Sequence, residues 1–145
     1  MISLSNRTVL SLSAFCLLLS VHQPVVSANH QTHATGDSLY QPDVGQSGKD
    51  VIWVPTNDEL VKMMLDVAKV KPTDVVYDLG AGDGKIAIAA ARDYGARAVG
   101  IEYNRDMAAL AQRNADRSGV AAKVKIINGD IFVEDFSEAT VVTLY

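Results

Sequence analysis

Val75-Val76-Tyr77-Asp78-Leu79-Gly80-Ala81-Gly82-Asp83-Gly84-Lys85 is the stretch whose reading decides the fold. An apolar run reads as a short strand, Asp78 stands near its end, and glycines alternate through the turn that follows. Glycine carries no Cβ, so such a turn bends sharply and lets a ligand approach the backbone closely. The spacing predicts a helix from Lys85 to Tyr94, closed by Gly95, whose first turn brings unpaired N–H groups and a positive dipole end to the same place. Together these features make a cradle for the polar part of a nucleotide-like ligand.

Downstream, the pattern alternates. Ala98 to Glu102 reads as a second strand, and Arg105 to Ser118 as a helix capped by Asn104 and ended by Gly119. Val124 to Ile127 reads as a third strand and Thr140 to Tyr145 as a fourth. Strands separated by helices of this length imply right-handed crossovers and a parallel sheet, hence an α/β fold. Ligands of such sheets bind beyond the carboxyl ends of the strands, where Asp78, Glu102, Asn104 and Asp130 fall.

Upstream, Val51 to Pro55 is a short extended apolar segment. Thr56-Asn57-Asp58-Glu59 matches a capping box, with Thr56 as N-cap and Glu59 as its partner. A helix to about Val70 is expected, with Leu60, Met63, Met64 and Val67 on its apolar face and Lys71-Pro72 as its stop. Trp53 is expected to pack on the sheet or, with the residues to Thr56, to lie over the cradle as a lid. Asn29 to Asp50 is polar, lacks a hydrophobic period and reads as a disordered linker. Met1 to Ala28 reads as a secretory signal: Arg7 in the n-region, an apolar run from Val9 to Val21, and Val26-Ser27-Ala28 at the cleavage site. That leader implies an exported or periplasmic product. The alternative is an N-terminal membrane tether with the domain in the cytoplasm, the leader then being its only membrane contact.

Composition narrows the chemistry. The net charge of −4 supplies no basic patch for phosphates, so a nucleic-acid partner is not expected. The single cysteine, Cys16, falls in the leader, and His22, His30 and His33 all precede the expected fold. The domain at 51–145 therefore has no thiol nucleophile, disulfide, histidine catalyst or histidine- or cysteine-based metal site.

The glycine pattern separates the ligand classes. G-x-G-x-G at Gly80, Gly82 and Gly84 is neither the dinucleotide G-x-G-x-x-G nor a P-loop, which needs four residues between its glycines. Asp78 before the first glycine would repel a pyrophosphate and instead suits an ammonium group. Glu102 follows Gly82 by 20 residues, the offset at which a carboxylate meets ribose hydroxyls. Ribose, ammonium and no phosphate describe S-adenosylmethionine.

Val76 to Gly84 closely resembles motif I of class I S-adenosylmethionine-dependent methyltransferases. Val99-Gly100-Ile101-Glu102 is similar to their acidic strand-two motif, and Asn128-Gly129-Asp130-Ile131 to the motif after strand three. The resemblance spans Trp53 to Tyr145 and implies a Rossmann-like parallel sheet of that type. It also implies site roles. Asp78 holds the methionine ammonium while Gly80, Ala81, Gly82 and Gly84 pass under the cofactor. Glu102 grips the ribose, Asp130 accepts from the adenine amino group, and Ile131 and Tyr103 flank the ring. Val54-Pro55-Thr56 with the glycine motif also resembles a subgroup related to protein-lysine methyltransferases. Lys85 is expected to face solvent and Asp83 to cap the helix start.

Four strands are accounted for where the class has seven, so the N-terminal, cofactor-binding half is expected, incomplete after strand four. No catalytic residue is assigned. Three functions compete on these residues: a methyltransferase acting on a small molecule or protein, a noncatalytic nucleotide-binding module, and an NAD-dependent oxidoreductase. The glycine spacing and Asp78 disfavour the last.

Overall fold

The computed structural model describes residues 40–145; the leader and the first half of the expected linker lie outside them. Four strands, β1 (Val75–Leu79), β2 (Arg97–Glu102), β3 (Val124–Asn128) and β4 (Val141–Leu144), form one parallel sheet in the order β3-β2-β1-β4. Helix α1 (Asp58–Val67) precedes β1, α2 (Lys85–Tyr94) joins β1 to β2, and α3 (Arg105–Arg117) joins β2 to β3. The α/β parallel architecture and the element order are those the sequence predicts.

Every residue of β1 is buried, as expected of a strand covered on both faces and both edges. Alternation sorts its side chains. Val76 joins Val61, Leu65, Ile86, Ala98 and Val124 in the core beneath the helices. Val75, Tyr77 and Leu79 point the other way and pack with Val99 and Ile101. The segment between β3 and β4 covers that second face with Ile131, Phe136 and Ala139. Helix α2 is buried from Ile86 to Ala91, and its run of small side chains lets it lie close to the strands.

Helix α1 departs from the expectation. Its N-cap is Asn57, not Thr56; the Asn57 side chain accepts from the Leu60 N–H at 2.7 Å, which leaves no place for a Thr56–Glu59 box. The buried positions are Val61 and Leu65, whereas Met63 and Val67 are exposed. The helix stops at Val67 rather than near Val70 because Lys69 takes a left-handed conformation at φ 53°. A non-glycine residue there is uncommon, which is why the stop is not readable from the sequence.

Residues 45–53, which fall mostly in the expected disordered linker, also differ. They fold back on themselves: Gly45 N–H donates to the Trp53 carbonyl at 2.8 Å, and Trp53 N–H donates to the Gln46 carbonyl at 2.9 Å. Ser47 and Ile52 form an antiparallel bridge, and Gly48 N–H closes the turn on the Val51 carbonyl. The polar composition belongs to the turn of a small hairpin arm. Among the described residues no helix is long and apolar enough to cross a membrane.

Candidate cofactor site

The strand order reverses between β1 and β4, which places the crevice at the carboxyl end of β1. Here the Gly80 and Ala81 N–H groups both donate to the Ile101 carbonyl at 2.9 Å, pinning the glycine turn to the end of β2. The Gly82 N–H donates to Glu102 Oε2 at 2.9 Å, and the Asn104 N–H to Glu102 Oε1 at 2.7 Å. Glu102 is thus a fixed brace between the turn and the start of α3, and each oxygen keeps a lone pair for a further donor.

Asp78 lies at the bottom of the crevice, only 2% exposed. Its Oδ1 accepts from the Thr143 hydroxyl at 2.8 Å, and Thr143 is its register partner on β4. Burial pushes the Asp78 carboxyl up to about 7; Asp83 and Glu102 add to the rise, and the Thr143 hydrogen bond opposes it. None of the groups acting on this carboxyl is a cation.

These residues line a cavity of about 590 Å³ that also takes in Gly80, Ala81, Tyr103, Asp130 and Ile131, with Trp53, Val54 and Thr56 on its far side. Asp78 and Glu102 therefore share one crevice. Nearly all of the predicted site residues meet in this wall, and Gly82 and Gly84 are the exceptions. A Cβ on Gly82 would come 2.7 Å from Trp53 Nε1, so this glycine seats the indole. A Cβ on Gly84 would meet the Ala111 Cβ at 3.0 Å, so this glycine lets α2 start against α3. The N-cap residue of α2 is Gly84, which has no side chain to offer, and Asp83 Oδ1 accepts from the Lys85 N–H at 3.4 Å, so Asp83 serves the helix start as expected. Lys85 lies 3.2 Å from Asp58 and also lines the cavity. Ile131 serves both the cavity and the second core.

Two contributors escape a reading of the sequence. Thr143 is hidden in an apolar run, yet its parallel register with Asp78 could have exposed it. Lys49 is lost in the expected linker, although Gly48 marks its turn. Lys49 Nζ lies 2.6 Å from Asp130 Oδ2, while Asp130 Oδ1 accepts from the Phe132 N–H at 3.1 Å. The ammonium also stands 5.3 Å from the centroids of both the Tyr103 and Phe132 rings. The Lys49 bond holds the Asp130 carboxyl below its usual range.

A second cleft, of about 630 Å³, lies along α1 and α2. Its charges satisfy one another through Lys62–Asp66, Arg92–Asp93 and Lys85–Asp58. Among the described residues no cluster of potential ligands could hold a metal ion.

A parallel sheet with a glycine turn, a ribose-spaced carboxylate and a buried acid at the β1 end is the arrangement of the class I S-adenosylmethionine-dependent methyltransferases, and the proteins this chain is similar to are methyltransferases. Residues 78–145 match the model of the ANTKMT methyltransferase domain. A protein-lysine N-methyltransferase of Saccharolobus islandicus is 46% identical over 96 residues, covering 66% of this chain and 60% of that protein. A lysine N-methyltransferase of Xenopus laevis, named for its action on ATP synthase, is 33% identical over 93 residues, covering 64% of this chain and 40% of that protein. Among solved structures, an RNA methyltransferase from Salinibacter ruber in complex with S-adenosyl-L-homocysteine has a TM-score of 0.63 at 55% identity. That alignment covers 63% of this chain and 60% of the other. The chain thus spans 60% of the length of the Saccharolobus and Salinibacter proteins.

Proposed function

We propose that this chain binds S-adenosylmethionine and serves a methyltransferase whose acceptor is protein lysine. The observation that carries the reading is Asp78: a buried carboxyl, pushed to about 7, with acidic neighbours and no cation acting on it. A ligand ammonium would supply the missing charge and return the carboxyl to its ionised form. The glycine turn, whose Gly80 and Ala81 line the cavity beside Asp78, fits the same ligand.

When bound, S-adenosylmethionine supplies an electrophilic methyl group on a sulfonium sulfur. The chain's own residues bind and orient. Asp78 takes the ammonium, with Thr143 fixing its carboxyl. Glu102 takes the ribose hydroxyls on its remaining lone pairs, already aligned by Gly82 and Asn104. Asp130 faces the adenine amino group, with Ile131 and Tyr103 beside the ring. Trp53 closes the side over Gly82 and limits water. Such alignment supplies much of the rate in a displacement of this kind. No residue is assigned as the base that deprotonates the acceptor.

The lysine acceptor is supported by the two lysine-methylating relatives. An RNA acceptor draws on the name of the Salinibacter protein, but a net charge of −4 suits it poorly. A noncatalytic binding module stays the alternative for the chain by itself. The leader at 1–28, and the export or membrane tether it implies, are part of the same proposal; N-terminal sequencing of the mature product tests them.

The acceptor test uses the full chain with radiolabelled S-adenosylmethionine and mixed protein and RNA from a lysate. Label recovered as N-methyl-lysine is the expected result. Label in RNA nucleosides overturns the lysine reading. No transfer, with retained binding of S-adenosylhomocysteine, leaves the binding module as the function of this chain.

A further inference from the structure

The hairpin arm at 45–53 roofs the cavity, yet little holds it there. Val51 and Ile52 are 76% and 60% exposed, and a two-stranded hairpin has marginal stability on its own. Two contacts tie it to the domain beneath. Trp53 rests on Gly82 at the arm's base, and Lys49 reaches Asp130 from its tip. The Lys49 contact joins residues 81 positions apart and adds the faces of Tyr103 and Phe132 to the ion pair. Both partners are half-buried, with side chains 35% and 25% exposed, so the pair is less screened than an open surface bridge. The cavity persists beneath the closed arm. The arm therefore walls the cavity while leaving room for a ligand, and its position sets how wide the mouth stands.

We infer that the arm is a gate on the cofactor site, with Trp53 at its hinge side and the Lys49–Asp130 pair as its latch. Asp130 keeps lone pairs for the adenine amino group while it holds Lys49, so the latch contributes alike to the empty and the loaded protein. It then sets how often the gate opens, and so scales association and dissociation together without changing the equilibrium. That kinetic signature separates a gate from a ligand contact, which would slow dissociation alone, and from a plug, which would slow association alone.

The first arm of the test needs no ligand. Trp53 is the only tryptophan of the chain, so its quenching by acrylamide reports whether the arm is closed. In Lys49→Met the quenching constant is expected to rise about twofold, whereas wild type, with its half-buried pair, should change little as salt is raised to about 0.5 M. Lys49→Arg, which keeps the pair, should match wild type. Quenching in Lys49→Met equal to wild type overturns the latch.

The second arm rests on the methyltransferase reading and uses S-adenosylhomocysteine in stopped flow. Both rate constants are expected to rise about tenfold in Lys49→Met, with Kd unchanged within about threefold. A change confined to one rate constant overturns the gate. Should wild type bind no S-adenosylhomocysteine, the cofactor reading falls, and the quenching result alone decides the latch.

Discussion

β1 and its glycine turn have every strand residue buried, and the turn is tied by backbone hydrogen bonds to the end of β2. The arm at 45–53 faces them across the same cavity with exposed Val51 and Ile52, held below by one indole and one half-buried ion pair. The cradle is built by packing that admits no change of shape. The arm is built by a few contacts that can be made and broken. A site that must both recognise a ligand and let it pass needs both kinds of construction, and recognition is placed on the rigid one.

Asp78 gives the sharpest way to break this comparison. Its carboxyl titrates at about 7 in the folded protein, above the ordinary 3.8. The native state therefore holds a proton that the unfolded chain releases, and this group lowers stability as pH rises from about 4 to about 7, with no further loss above. Asp78→Asn is expected to weaken S-adenosylhomocysteine binding about 100-fold, through loss of a charge-assisted hydrogen bond. In the absence of ligand it should stabilise the protein by up to about 4 kcal/mol at pH 8 and by almost nothing at pH 4. Calorimetric titration and thermal melts across pH check the two halves. A variant destabilised at pH 8 would show that the cradle does not store this cost.

Packing in the cradle comes next. A Cβ on Gly100 would lie 2.8 Å from the Ala81 Cβ and 3.0 Å from Ile126 Cδ1. Gly100→Ala should cost about 3 kcal/mol in urea unfolding. Gly84, at φ 84° and against Ala111, should cost about 2 kcal/mol as alanine. On the arm, Val51→Ala should stay within about 0.5 kcal/mol of wild type, because the side chain is already in water. Equal costs in both regions would erase the distinction between them.

How far the sequence discloses this arrangement follows the same division. The cradle is legible because its signals are local: an apolar run, an acid at its end, glycines where a side chain has no room, and carboxylates at fixed offsets. Helix α3 is legible for the same reason, with Asn104 accepting from the Asp106 and Met107 N–H groups at its start. The start of α1 differs by one residue from the expected one, since Thr56 and Asn57 both have capping side chains and only the backbone geometry chooses between them. Its end differs because Lys69 adopts the conformation that glycine usually signals. The arm departs further from its sequence pattern. Its polar residues form a turn whose value lies in contacts with Asp130, Tyr103 and Gly82, distant in the chain, and composition carries no trace of such contacts.

The ammonium role of Asp78 is tested most directly by comparing two ligands on two proteins. S-adenosylhomocysteine carries the amino acid ammonium; 5′-methylthioadenosine keeps the adenine, ribose and sulfur but lacks it. Wild type is predicted to prefer S-adenosylhomocysteine by about 100-fold in Kd, and Asp78→Asn to lose most of that preference while still binding methylthioadenosine as wild type does. A preference that survives intact in Asp78→Asn would contradict the ammonium role.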